Sequence, residues 1–165
     1  MRIIKLGIIS LIVFFLIITG FSLFIPSHIR ISKAIDINAN KDSVVGQLNN
    51  PVNWKKWYPG ADTLDLLFIE GKVKGIVTGY LQGLIIINIS DSSVSMINAG
   101  PNSKKGESGW NIFDGDKPNT VTVQWYMDFH LRWYPWEKFS SLLLEKRYGP
   151  MMEQGLDKLK SLLEK

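Results

Sequence analysis

The sequence of 165 residues contains no cysteine and only two histidines. Without cysteine there is no disulfide framework, no thiolate nucleophile and no zinc site of the common cysteine-containing kinds. His28 and His130 stand far apart in the chain, and no serine lies in a recognisable nucleophile motif that would complete a triad with them. We therefore predict no catalytic residue, no metal site and no cofactor.

A strong excess of positive charge is also missing. Of the 19 Lys and Arg residues, Arg2 and Lys5 precede a long apolar run, and the remaining 17 are nearly balanced by 15 Asp and Glu. The basic residues occur as scattered pairs such as Lys104-Lys105, not as the stripe that phosphate contacts require. We therefore expect no nucleic-acid partner.

The feature that stands out is an uncharged run of 20 residues from Leu6 to Ile25. At about 1.5 Å rise per residue it spans roughly 30 Å, the thickness of a bilayer's hydrocarbon core. We predict that this run binds the lipid bilayer as a transmembrane anchor. The alternative is a cleaved signal peptide, with Gly20-Phe21-Ser22 as the cleavage site, but the apolar core of a signal peptide usually runs about 7 to 15 residues.

The charges that flank the run give a weak orientation signal. Arg2 and Lys5 lie on one side, and Arg30 and Lys33 lie on the other. With the short N-terminal tail inside, the chain is a single-pass protein of the cell membrane whose domain lies outside the cytoplasm. We assign residues 1–29 to the anchor and linker and residues 30–165 to one domain.

The residues after Pro26, which we expect to end the anchor, favour an α+β domain. Alternating residues predict a strand from Ile31 to Asn38, and Asn40 and Asn50-Pro51 are typical starts of two short helices. Six β-like runs follow, at 64–70, 72–80, 84–90, 93–99, 106–113 and 120–132. Their close spacing favours an antiparallel meander, because parallel crossovers need a dozen or more residues.

The last run and the C-terminus predict how the sheet is covered. In the last run one face, from Val121 to Leu131, is apolar and predicted to be buried, and the other, from Thr122 to Arg132, is predicted to meet water. After Pro135 apolar residues recur at helical spacing, which predicts a long amphipathic helix that Gly149-Pro150 should bend or interrupt. Packing of this helix on the sheet gives an α+β layer pair.

Several motifs add a family resemblance. Trp54-Lys55-Lys56-Trp57-Tyr58-Pro59, after the first strand, and Trp133 to Phe139, before the long helix, are similar to segments of membrane-anchored bacterial START-like proteins. This superfamily is also called the SRPBCC, or polyketide cyclase/dehydrase and lipid-transport, family. The resemblance covers about Ile31 to Leu163. It implies a helix-grip fold, in which a curved antiparallel sheet wraps a long C-terminal helix and leaves an apolar cavity.

The resemblance implies no particular reaction, because members bind lipids, sterols, polyketides or hormones and some catalyse cyclisation, dehydration or hydrolysis. Aromatic and thioether side chains line most such cavities. We predict that six of them form the cavity wall here: Trp110, Trp125, Met127, Phe129, Met151 and Met152. A filled hydrophobic core explains each of these residues equally well.

Three functions follow from these patterns. The first is non-catalytic binding of a small hydrophobic or amphipathic, lipid-like ligand. The second is an enzyme of the cyclase, dehydratase or hydrolase kind, which a buried carboxylate such as Asp128 or Glu137 with a raised pKa would favour. The third is a membrane-tethered adaptor whose core is filled.

Overall fold

A computed structural model describes residues 2–100 and 106–164. Its first element, helix α1 (Arg2–Ser22), is long and apolar enough to cross a membrane. The predicted run ends at Ile25, but the helix ends at Ser22, because Leu23, Phe24 and Ile25 donate to carbonyls three residues earlier and tighten the chain into a turn. Ser22, at the end of the helix, is fully buried.

The first strand is longer than predicted. Strand β1 (His28–Ile37) begins at His28, within the segment assigned to the linker, because His28 to Arg30 pair with the end of the last strand. The two helix starts are confirmed, for α2 (Lys41–Leu48) and α3 (Pro51–Trp54). Trp57 lies in the turns that follow α3 and precede a 3₁₀ turn at Ala61–Thr63.

The predicted antiparallel meander is confirmed. The remaining strands are β2 (Leu66–Ile69), β3 (Lys72–Gly79), β4 (Gln82–Ser90), β5 (Ser93–Ala99), β6 (Glu107–Asp114) and β7 (Val121–His130). They form one seven-stranded sheet in the order β1-β7-β6-β5-β4-β3-β2, and every neighbouring pair is antiparallel. The pair Lys104-Lys105 lies outside the described residues.

The C-terminal helix is interrupted, but not where we expected. Helix α4 (Pro135–Ser141) and helix α5 (Leu144–Leu163) are separated by a turn at Leu142 and Leu143. The predicted interruption at Gly149-Pro150 is wrong, because α5 continues through Pro150. Pro150 has no amide hydrogen to donate to the Lys146 carbonyl, and both residues are on the exposed side of the helix, where this loss costs less than in the core.

The core lies between the concave face of the sheet and α5, which packs mainly on β1. Met152, Leu156 and Leu159 are the buried apolar side chains of α5, and the inward residues of β1 and β7 face them. This arrangement confirms the predicted α+β helix-grip architecture, a curved antiparallel sheet with a long C-terminal helix.

Candidate ligand-binding site

Five aromatic rings fill the centre of the core beneath the concave face of the sheet. Trp54, Trp57 and Tyr58, from α3 and the turns after it, meet Trp110 of β6 and Trp125 of β7. Their ring centroids are 5.0 to 6.4 Å apart, and all four tryptophans are at most 1% exposed. Such contacts contribute packing energy beyond the area they bury. The middle of the sheet therefore holds a dense aromatic core.

The indole N–H groups of this cluster differ in their partners. The Trp54 Nε1 donates to the Leu48 carbonyl at 2.8 Å, whereas the Nε1 atoms of Trp57, Trp110 and Trp125 have no hydrogen-bond partner in the described part of the chain. Each unpaired buried donor costs about 1–3 kcal/mol. Edge-to-face packing of Trp57 on the other two indoles, at 66° and 78°, presents ring faces as weak acceptors.

A pocket lies at one end of the sheet, not beside its middle. The start of β1, the end of β7, the end of β5 and the start of β4 all lie at the same end of the sheet. We call this end the proximal end and the pocket the proximal pocket. The proximal pocket has a volume of about 750 Å³ and lies between this end of the sheet and the junction of α4 with α5. Its volume is in the range of sites for small organic ligands.

The pocket lining combines apolar side chains with cationic ones. The apolar lining residues are Ala99, Phe129, Leu131, Leu143, Leu144 and Tyr148, and the polar ones include Gln82, Asn98, His130, Ser140, Ser141, Lys146 and Arg147. Phe129 packs on Tyr148 with ring centroids 5.2 Å apart, and the guanidinium of Arg147 lies 5.5 Å above the Tyr148 ring. No Asp or Glu is among the described lining residues.

The six predicted cavity residues are distributed unevenly around this pocket. Phe129 lines it. Trp110, Trp125 and Met152 are completely buried in the core, Met127 is 9% exposed in the same core, and Met151 packs against that core half-buried. Contact of any of these six residues with a ligand stays a prediction.

No family model matches the sequence, and no curated protein matches it. Solved structures do match. A protein of unknown function from Staphylococcus aureus, SA2116, is 14% identical, covers 83% of this chain and 94% of its own, and superposes with a TM-score of 0.62. A START superfamily protein from Mycobacterium smegmatis is 13% identical over 82% of this chain and 97% of its own, with a TM-score of 0.60.

A third match is the Aha1 dimer from Colwellia psychrerythraea, at 17% identity, 82% and 96% coverage and a TM-score of 0.54. The chain has a START-like fold. At these identities the likeness extends to the architecture alone, so the chemistry of the START-like domain has to be argued from its own residues.

The outer face of the sheet is partly buried at β7, contrary to our prediction. We expected the polar face of β7 to meet water, but Tyr126 and Asp128 are 5% exposed. Asp128 accepts hydrogen bonds from Arg30 Nε at 2.8 Å and Nη2 at 2.5 Å, and it lies 3.2 Å from His28 Nε2. The Arg30 guanidinium also lies 4.7 Å above the Tyr126 ring, which shields both residues from solvent.

The bonds from Arg30 lower the pKa of the Asp128 carboxyl, against the opposing effect of its burial. The enzyme hypothesis called for a raised pKa at such a carboxylate. Asp128 is therefore an ionised partner of Arg30. It lies on the outer face of the sheet, and it is not among the residues that line the pocket.

The two histidines are neighbours, which the sequence did not reveal. His28 of β1 stands opposite His130 of β7, and their rings stack with centroids 4.7 Å apart. Sequence distance misled us, because strand pairing joins residues that are far apart along the chain. Within residues 2–100 and 106–164 no group of three or more His, Cys, Asp or Glu side chains could hold a metal ion.

Proposed function

We propose that the START-like domain binds a small amphipathic molecule in the proximal pocket, without catalysing a reaction. The observation that carries this proposal is the lining of the pocket, which combines apolar side chains with Lys146 and Arg147 and includes no described carboxylate. An aliphatic or aromatic body fits against Phe129 and Tyr148. An anionic head group fits beside the two cations.

The side chains that line the proximal pocket offer few groups for catalysis. His130 is the one histidine among the described lining residues. Its ring stacks on His28, and within residues 2–100 and 106–164 it forms no ion pair with a carboxylate of the kind that orients a general base. The pocket residues therefore favour recognition over proton transfer.

We also propose that α1 anchors the domain to the cell membrane, with the domain outside the cytoplasm. The helix is 21 residues long, and its large apolar side chains are exposed along its length. Exposed apolar surface of this extent requires an apolar surrounding. Full-length protein should resist carbonate extraction from membranes. Recovery from native cells of a chain that begins just after Ser22 would instead identify α1 as a signal peptide.

A membrane-tethered adaptor is the second candidate, and the aromatic cluster is the observation in its favour. The middle of the core is filled by four buried tryptophans, Trp54, Trp57, Trp110 and Trp125. An adaptor of this kind would present its surface to a partner and would hold no small molecule.

Native mass spectrometry of the full-length protein, extracted in mild detergent, separates the two candidates. Ligand binding predicts a co-purifying small molecule. Ala99→Phe should remove it, because Ala99 lines the pocket and the added ring occupies it. Ala34→Phe is the matched control, since Ala34 is exposed on β1 and does not line the pocket. Equal spectra for both variants and the parent protein, without a bound molecule, would favour the adaptor.

A further inference from the structure

Helix α4 and the residues on either side of it expose several large apolar side chains. These are Trp133, Trp136, Phe139, Leu142 and Leu143, which are 40% to 65% exposed and which we call the apolar rim. Trp136 and Phe139 have the i, i+3 spacing of one face of α4, and Leu142 and Leu143 lie in the turn that follows it. A contiguous surface of this kind is unusual on a soluble monomer and marks an interaction site.

The apolar rim is continuous with the end of α1. Lys138, between Trp136 and Phe139, is 4% exposed, and its ammonium donates to the Ile25 carbonyl at 2.7 Å and to Ser27 Oγ at 2.8 Å. Several residues of α1 and α4 are in contact. These bonds hold α4 beside the last turn of α1, at the level where a membrane-spanning helix leaves the hydrocarbon.

A second exposed apolar site lies at the same end of the sheet. Tyr80 and Leu81, in the turn between β3 and β4, are 93% and 66% exposed. The next residue, Gln82, lines the proximal pocket together with Leu143 of the rim. The pocket therefore lies between the Tyr80–Leu81 turn and the apolar rim.

We propose that the apolar rim and the Tyr80–Leu81 turn lie in the interface of the bilayer that α1 spans, so that the pocket faces the membrane. This inference rests on the proposed anchor. A bilayer is the occupant that fits, because the rim continues the surface of α1 and because Trp and Tyr are the residues that prefer the membrane interface. Lys146 and Arg147, next to the rim on the pocket wall, are placed to meet anionic head groups.

The experiment uses full-length protein in liposomes of phosphatidylcholine and phosphatidylglycerol. Since the chain has no cysteine, each introduced cysteine is unique and can carry one nitroxide. The test positions are Trp136→Cys, Leu142→Cys and Leu81→Cys. The references are Phe14→Cys in α1, and Phe113→Cys, which is 52% exposed at the opposite end of β6. Collision rates with oxygen, which partitions into lipid, and with a water-soluble nickel chelate give the depth of each label.

We expect the oxygen-to-nickel ratio at the three test positions to exceed that at position 113 several-fold and to approach that at position 14. Lipid contact at position 14 with water contact at positions 136 and 142 would overturn the inference and leave the anchor intact. Water contact at position 14 would overturn both. Labels at 136 and 142 that are shielded from both reagents, with spin–spin broadening that grows with protein density, would show a second copy on the rim and also overturn it.

Discussion

Gly155 of α5 lies directly against Trp125 of β7. A methyl group at Gly155 would come within 2.7 Å of Trp125 Cζ3 and 2.9 Å of Pro59 Cδ. The helix backbone and the indole are therefore in direct contact, with no side chain between them. This contact sets how closely the sheet grips the helix, and it rests on the aromatic cluster behind Trp125.

We predict that Gly155→Ala destabilises the domain by about 1–3 kcal/mol, because the added methyl overpacks this contact. The better helix propensity of alanine, about 1 kcal/mol, offsets part of the loss. Gly46→Ala is the matched control, since nothing lies within 4 Å of the added methyl in α2. That variant should gain about 0.4–1 kcal/mol. Urea unfolding of full-length protein in micelles, followed by tryptophan fluorescence, measures both. Equal gains would mean that α5 can move away from Trp125.

Met127→Trp tests where the cavity lies. Met127 is 9% exposed in the filled core, so the larger ring should overpack it and cost about 1–3 kcal/mol. A ligand in the proximal pocket should stay bound as long as the variant is folded, whereas Ala99→Phe should displace it at little cost in stability. Loss of the ligand from Met127→Trp with unchanged unfolding free energy would place a cavity beside Met127, as first predicted.

The sequence predicted the architecture well because that architecture depends on local patterns. Alternation predicted the strand β7, and the side-chain caps at Asn40 and Asn50 predicted two helix starts. Each signal takes a few residues, and the structure has the strand and both caps. The helix interruption was misplaced because Pro150 has an obvious chemical signature. The tight turn at Leu142 and Leu143 has none.

The pocket was harder to predict, for a geometric reason. Alternation shows which residues of a strand face the core, but it does not show how deep along the strand a cavity lies. Trp125 and Phe129 share a face of β7, yet Trp125 lies in the packed middle and Phe129 lines the proximal pocket. The burial of Asp128 likewise depends on Arg30, which is 98 residues away in the chain and adjacent only after β1 pairs with β7.

Lys146 and Arg147 in the pocket lining predict a preference for anionic ligands. Replacing Lys146 and Arg147 together by Gln should weaken binding of an anionic amphipath such as a fatty acid. Added salt should also weaken binding of this ligand by the parent protein, because it screens the two cations. Lys74→Gln, in β3 and away from the pocket, is the control and should have no effect. Titration of the protein in nanodiscs with a labelled fatty acid measures both. Unchanged affinity in the double variant would show that the head group of the ligand does not lie beside Lys146 and Arg147.

The Arg30–Asp128 pair predicts an acid-dependent part of stability. Arg30 lowers the pKa of Asp128 below its ordinary value of 3.8, so the folded state binds fewer protons than the unfolded state in this range. The contribution is fully present above that value and is lost as the pH falls through the lowered pKa. Asp128→Asn removes it at all pH values.

At pH 7 we expect this variant to be less stable by about 1.5 kcal/mol, the low end for hydrogen bonds to charged groups, because Arg30 is 53% exposed and stays solvated. The difference in unfolding free energy between parent and variant should shrink below about pH 4. Urea titrations from pH 6 to pH 3 measure it. A difference that stays constant to pH 3 would mean that the ion pair adds nothing to stability.

The pairing of β1 with β7 also constrains the order of events during synthesis. β1 is the first strand to be made, and its partner β7 is the last, so ten residues from His28 to Ile37 must wait until His130 has emerged. Contacts so distant in sequence form slowly, and unpaired apolar strands are prone to aggregation. Until the chain is nearly complete, the nascent sheet has an open edge at β6. Chaperone protection of that edge during translation is therefore of most value in the interval before β7 emerges.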